Sequence, residues 1–176
     1  MGNSEYRSVN GASNNLSFNH CRWEANHFVG LRLIDGSRKI HIVDSKFHGE
    51  LPVAAPYDHV QMYSSNSNII MGSNFTHGGK TAILMRQGYG NVISNNTIGG
   101  QPAYPIDVEG SARDIFVGNT LNVENSDSGL GDIRWQRNLE SQFHGNVGRR
   151  SCVLNLNTVT CESPGPTSQS LVDSLN

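Results

Sequence analysis

The stretch NVISNNTIGG, residues 91–100, sets Val92, Ile93 and Ile98 around two adjacent asparagines, Asn95 and Asn96. An amphipathic helix spaces its apolar residues three and four apart, and an ordinary strand alternates them strictly. This segment does neither: it reads as a short strand, a tight polar corner and a return to the core. The octet recurs without gaps as LSFNHCRW (16–23), IHIVDSKF (40–47), NIIMGSNF (68–75), NVISNNTI (91–98) and DIFVGNTL (114–121), and with a small shift as SQFHGNVG (141–148). Its third position is Phe18, Ile42, Ile70, Ile93, Phe116 and Phe143, and five of the six octets end on Trp23, Phe47, Phe75, Ile98 or Leu121. Successive third positions lie 23 to 28 residues apart, the length of one solenoid coil.

A second segment follows each octet: GLRLI (30–34), HVQMY (59–63), AILMR (82–86), PIDVE (105–109), DIRWQ (132–136) and VLNLN (153–157). The second and fourth positions are apolar in all of them, the period-2 signature of a strand with one buried face. One coil cannot bury that face alone. Stacking coils about 4.8 Å apart pairs every strand with its neighbours and closes one long core. Cys21, Ser45, Ser73, Asn96, Asn119 and Asn146 then sit above one another at the corner, where Asn tolerates the left-handed backbone and stacked amides bond between coils.

The NNTI and GNTL corners and the alternating strands resemble the repeats of right-handed parallel β-helices of the pectate-lyase-like superfamily, over residues 14–157. The expected fold is all-β, a right-handed parallel β-helix solenoid of about six coils. Residues 1–13 are expected as a lead-in or cap, 14–161 as the β-helix, and 162–176 as a polar tail. Leu171, Val172 and Leu175 of that tail would cap the last coil or meet another chain.

Composition fits many short strands and turns: 19 glycines, and a charged fraction of only 16%. A net charge of −2 disfavours nucleic acid, whose phosphates call for clustered Lys and Arg. No apolar run reaches the roughly 18–20 residues of a membrane span. The first residues lack the apolar core of a secretory signal, and Tyr6 stands where a myristoylation start has Ser or Thr. An added Met before an internal fragment is the simpler reading. Cys21, Cys152 and Cys161 have no zinc-ligand spacing. Cys152 and Cys161 either bridge the hairpin-like CVLNLNTVTC or remain free thiols. The glycosylation patterns at 15–17, 74–76 and 95–97 arise by coincidence in an Asn-rich repeat.

A solenoid gives function to its insertions and to the outward residues of one sheet. The excursions 48–58 and 122–131 leave the same corner and frame a groove suited to an extended polymer. Outward positions of the second segments bring Asp107, Glu109 and Asp132 beside Arg86 and Arg134, the candidate catalytic residues. Two carboxylates across a glycosidic bond serve as acid and base or nucleophile; a base beside a neutralised uronate serves a lyase. The same register makes Arg86–Glu109 and Asp107–Arg134 ordinary cross-strand ion pairs. Tyr57, His59, Gln61, Tyr63, His77 and Lys80 are the candidate substrate-binding residues, with Tyr89 and Tyr104 as further surface aromatics and Trp23 and Trp135 in inward slots.

His48, His77, Asp58 and His59 gather near one corner, where a transition metal needs three or four converging ligands. Glycan-binding loop histidines are the expected reading, with no metal. Calcium is common in the lyases this fold resembles, but no spacing here demands it, and no cofactor is expected. The resemblance implies a carbohydrate-interacting protein at a virion or cell surface, binding and cleaving polysaccharide as a lyase or hydrolase. The alternative is a non-catalytic structural or adhesin segment of a phage tail fibre or surface protein. A homotrimer is the assembly such a fibre implies.

Overall fold

The computed structural model describes residues 8–9, 14–24, 29–49, 58–77, 80–100, 104–122, 133–136, 140–148, 151–155 and 158–162. The octets resolve into two short strands with a corner between them, three residues each except Val147–Gly148, and the second segments other than 153–157 into a third strand. Sheet I stacks Ser17–Asn19, His41–Val43, Ile69–Met71, Val92–Ser94, Ile115–Val117 and Gln142–His144. Sheet II stacks Arg22–Glu24, Lys46–His48, Asn74–Thr76, Thr97–Gly99, Thr120–Asn122 and Val147–Gly148. Sheet III stacks Ser8–Val9, Leu31–Leu33, Val60–Tyr63, Ile83–Arg86, Ile106–Glu109 and Ile133–Gln136. All pairings within the three sheets are parallel, and the register is that of the sequence repeat: Ile42, Ile70, Ile93 and Phe116 lie one above another. No helix occurs among the described residues.

The core runs up the axis. Leu31, Leu33, Val60, Met62, Ile83, Met85, Ile106 and Val108 line it from sheet III, with Ile42, Ile70, Ile93 and Phe116 opposite. Phe47, Phe75, Ile98 and Leu121 close the third side. Trp23, Phe47 and Phe75 stack face to face at 4.4 and 4.7 Å between ring centroids. Rings on successive coils meet at the strand spacing because parallel in-register stacking leaves identical positions about 4.8 Å apart.

At the corner between sheets I and II the two asparagines divide the work. Asn95, not Asn96, takes the left-handed conformation, in a column with His20, Asp44, Gly72, Gly118 and Gly145. Asn96 turns inward into the expected column. The Ser45 Oγ accepts from the Cys21 N–H, Ser73 Oγ from Ser45, Asn96 Oδ1 from Ser73, Asn119 Oδ1 from Asn96, and Asn146 Oδ1 from Asn119. The amide of Asn96 also donates to the Ile70 carbonyl and to Asn119 Oδ1. Backbone donors that a corner withdraws from the sheets are thereby satisfied inside the solenoid.

A second ladder, not anticipated, runs at the corner between sheets III and I. Asn68 Oδ1 accepts from the Ile40 N–H, Asn91 Oδ1 from Asn68, Asp114 Oδ1 from Asn91, and Ser141 Oγ from Asp114.

One expected strand is placed differently. Of the segment at 153–157, the described residues 153–155 are not hydrogen-bonded into sheet III: Ser151–Asn155 pairs antiparallel with Thr158–Glu162, and Cys152 lies opposite Cys161 in that register. Alternation is the same in parallel and antiparallel strands, and a partner a few residues away closes a shorter loop than one a coil away. The Ser8–Val9 strand, in the expected lead-in, pairs with Arg32 and Leu33.

Candidate functional site

The outward face of sheet III carries an interlocked group of charged and polar side chains. Register places Leu84, Asp107 and Arg134 in one column and Tyr63, Arg86, Glu109 and Gln136 in the next. Arg134 holds both carboxylate oxygens of Asp107, through Nε at 2.8 Å and through Nη2. Arg86 holds the same two oxygens, Nη2 at 2.7 Å and Nη1 at 3.2 Å, while its Nε lies 3.3 Å from Glu109. The expected pairs therefore form, and one was not foreseen: Arg86 reaches diagonally across to Asp107, within range of a long side chain on a sheet face. Asp107 is only 3% exposed. Burial alone would raise its pKa, but the hydrogen bonds from Arg134 and Arg86 outweigh it and hold the carboxyl below its usual range. Asp107 thus stays ionised with both oxygens engaged by guanidinium groups.

A second network begins one coil earlier. Gln61 Nε2 donates to Asp58 Oδ2 at 2.8 Å, and Arg32 Nε donates to Gln61 Oε1 at 2.8 Å. Gln61, expected as an outward binding residue, is buried because its amide is fixed from both ends. Burial raises the pKa of Asp58 against the opposing effects of Gln61 and Lys80, and Asp58 Oδ1 has no hydrogen-bond partner. The two buried carboxyls of this face are thus driven in opposite directions. The Arg32 guanidinium lies over the Tyr63 ring at 5.8 Å and that of Arg134 over Tyr104 at 5.0 Å. Lys80 is exposed, and its charge reaches Asp58.

The structure moves His59 off the face. It is 6% exposed, its ring 6.2 Å from Phe47 and 6.1 Å from Phe75, and burial lowers its pKa to about 4. Small Gly30 and Ala82 occupy the equivalent positions of neighbouring segments, and that space lets the imidazole turn into the stack. His77 sits at the corner between sheets II and III, edge-on to His48 with ring centroids 5.4 Å apart, while His48 Nδ1 meets Thr76 Oγ1 at 2.9 Å. No group of three or more His, Cys, Asp or Glu side chains is placed to hold a metal among the described residues. Tyr57, Asp132 and most of the two long excursions, and with them the groove, lie outside the described residues.

Of the candidates, Arg86, Asp107, Glu109 and Arg134 come together as one cluster, with Tyr63 and Gln61 on the same face. Sequence reasoning missed Asp58 as a member of this face. Its signal was its position three residues before Gln61, at the start of the strand.

The sequence matches the family model described as a right handed beta helix region over residues 8–161. The chain belongs to that family. Among curated proteins no sequence match is found. Among solved structures, the β-helix is similar to the enzymatically active domain of tailspike protein 2 of bacteriophage CBA120, with a TM-score of 0.64 and 13% identity over 80% of this chain. It is also similar to a glycosyl hydrolase-like protein of Parabacteroides merdae ATCC 43184, with a TM-score of 0.62 and 9% identity, covering 80% of this chain and 77% of that one. The chain spans 21% of the tailspike domain's length. At these identities the likeness is one of fold. No helix of the described residues is long and apolar enough to cross a membrane.

Proposed function

We propose that this β-helix binds a polysaccharide along the outward face of sheet III, at a virion or cell surface. One observation carries the reading: a face on which two hydrogen-bonded networks hold the arginines in place and tyrosine rings pack against two of them. Tyr63 and Tyr104 offer rings of the kind on which sugars pack, each backed by a guanidinium. Glu109 and Lys80 supply accessible groups for hydroxyls and carboxylates. Ordering of these side chains before binding lowers the entropy that a glycan contact must overcome. The fold shared with a tailspike protein and a glycosyl hydrolase-like protein is consistent with a carbohydrate partner.

Binding without turnover is the better supported form. Asp107, the central candidate acid, has both oxygens engaged by two arginines and is held ionised, so it has neither a proton to give nor a free lone pair for attack. Its role in this reading is to fix Arg86 and Arg134. The test is a panel of neutral and acidic polysaccharides, followed by affinity electrophoresis and by the appearance of reducing ends or unsaturated products. Retardation by at least one glycan without new ends is expected. Cleavage abolished by Asp107→Asn would overturn the non-catalytic assignment, and no retardation by any glycan would overturn the binding reading.

A further inference from the structure

The outward face of sheet I has a different character from the other two. Its register sets the exposed His41, then Ile69, Val92 and Ile115, in one column and Val43, Met71, Ser94 and Val117 in the next. Met71 is 39% exposed, Ser94 is buried, and Val43, Ile69, Val92, Ile115 and Val117 are half-buried. None of the outward positions from Ser17 to Gln142 carries Asp, Glu, Lys or Arg. Sheet II by contrast presents Arg22, Glu24 and Lys46, and sheet III its arginines and acids. The middle coils of this face thus form an uncharged, largely apolar strip beside two charged faces, a candidate contact surface.

We infer that a second copy of this chain covers it, packed side by side with the two solenoid axes parallel. The charges at the edges of the face select this occupant. In the coil around His41–Val43, Lys39 stands at the corner that enters the sheet and Asp44 at the corner that leaves it, both exposed. Arg38 lies beside Lys39; three coils further on the same edge carries Arg113, paired with Glu140 of the next coil. A twofold axis parallel to the solenoid turns one copy so that its Lys39 edge meets the Asp44 edge of the other, at the same level and in both directions. Reversing one copy instead sets the Asp44 edge against itself, where no Lys or Arg of that corner column answers the carboxylate. Sheets II and III are poor alternatives to sheet I as the covering surface, because an apolar partner would strip water from their unreciprocated charges. Strand spacing makes the apolar strip roughly 10 by 20 Å, well short of the about 800 Å² per partner of a standard stable interface. The association is therefore weak for this chain, and reversible.

Sedimentation velocity up to roughly 500 µM protein tests it. A concentration-dependent shift from monomer to a larger species is expected, and the double variant Met71→Glu, Ile115→Glu weakens it at least tenfold. The circular dichroism and melting of that variant should match the parent, since both side chains point away from the core. Lys39→Glu alone should weaken association at least threefold at low salt. A single monomeric species at every concentration overturns the inference, as does association that the double variant leaves unchanged. An unchanged dissociation constant in Lys39→Glu overturns the parallel arrangement.

Discussion

Asp114 stands in a column of amides, where Asn68 and Asn91 occupy the two preceding coils. Its Oδ1 accepts two bonds from Asn91, but Oδ2 is buried with no partner. Burial raises its pKa to about 6, against the bonds from Asn91. A carboxyl whose pKa is higher in the folded state binds its proton more tightly there than in the unfolded chain. Its effect on stability is thus least unfavourable below the unfolded value near 4, worsens as pH rises between about 4 and 6, and stays at its worst above. Asp114→Asn should remove this dependence and stabilise the protein at pH 7 by on the order of 2 kcal/mol, read as a higher urea midpoint at pH 7 with little change at pH 4. Asp107 has the opposite sign. Its carboxyl is held below the usual range, so it contributes stability that is present above about pH 4 and lost as pH falls. Asp107→Asn leaves two buried-facing guanidinium groups without their anion and should cost about 3 kcal/mol, measured by thermal or urea unfolding at pH 7.

At the scale of the element, the corners explain why the repeat tolerates so little at two positions and so much elsewhere. Gly118 has φ +64° and a Cβ there would lie 2.4 Å from Asn95 Oδ1, whereas Gly145, one coil on in the same column at φ +58°, has nothing within 4 Å. The exposed Asn95 side chain can swing aside, so Gly118→Ala and Gly145→Ala should each destabilise by about 1 kcal/mol, the amount that left-handed Ala costs. Similar urea midpoints for the two variants would show that the left-handed backbone, and not the contact with Asn95, sets the cost. Asn96→Ala removes the acceptor for the Ser73 N–H and the donor to Ile70, and should cost about 2–3 kcal/mol because it leaves buried backbone groups unpaired.

These corners were half legible. Aligning the octets exposed the inward column of Cys21, Ser45, Ser73, Asn96, Asn119 and Asn146, because all but Asn146 lie between two large apolar anchors. The other ladder was visible too, as Asn68, Asn91 and Asp114 at the first position of three octets, but a polar residue before a strand looks the same whether it points in or out. The backbone settles that, and nothing in residue type separates Asn95 from Asn96. The hairpin of Ser151–Asn155 with Thr158–Glu162 was hidden for a related reason: period-2 alternation marks a strand without naming its partner.

For the whole molecule, the strict register that builds the core also sorts the outside into three faces. Phe47, Phe75, Ile98 and Leu121 inside one wall oblige their outward neighbours to form columns as regular as themselves. Sheet I becomes largely apolar in its middle coils, sheet II mixed, and sheet III a row of clamped charges flanked by tyrosines. The charged cluster of sheet III could be read from the sequence because register alone determines which residues are neighbours. Reading burial was harder: Gln61 and His59 are outward or flanking by position, yet one is enclosed by its hydrogen bonds and the other fills the space left by Gly30 and Ala82.

The central claim is that the glycan lies on sheet III. Its most direct test is the dissociation constant of a glycan from the polysaccharide panel, measured by titration calorimetry for the parent, for Tyr63→Ala with Tyr104→Ala, and for Met71→Glu with Ile115→Glu. The account predicts at least a tenfold weaker constant for the tyrosine pair and an unchanged one for the sheet I pair. Equal affinity in the parent and the tyrosine variant, or loss confined to the sheet I variant, would contradict it.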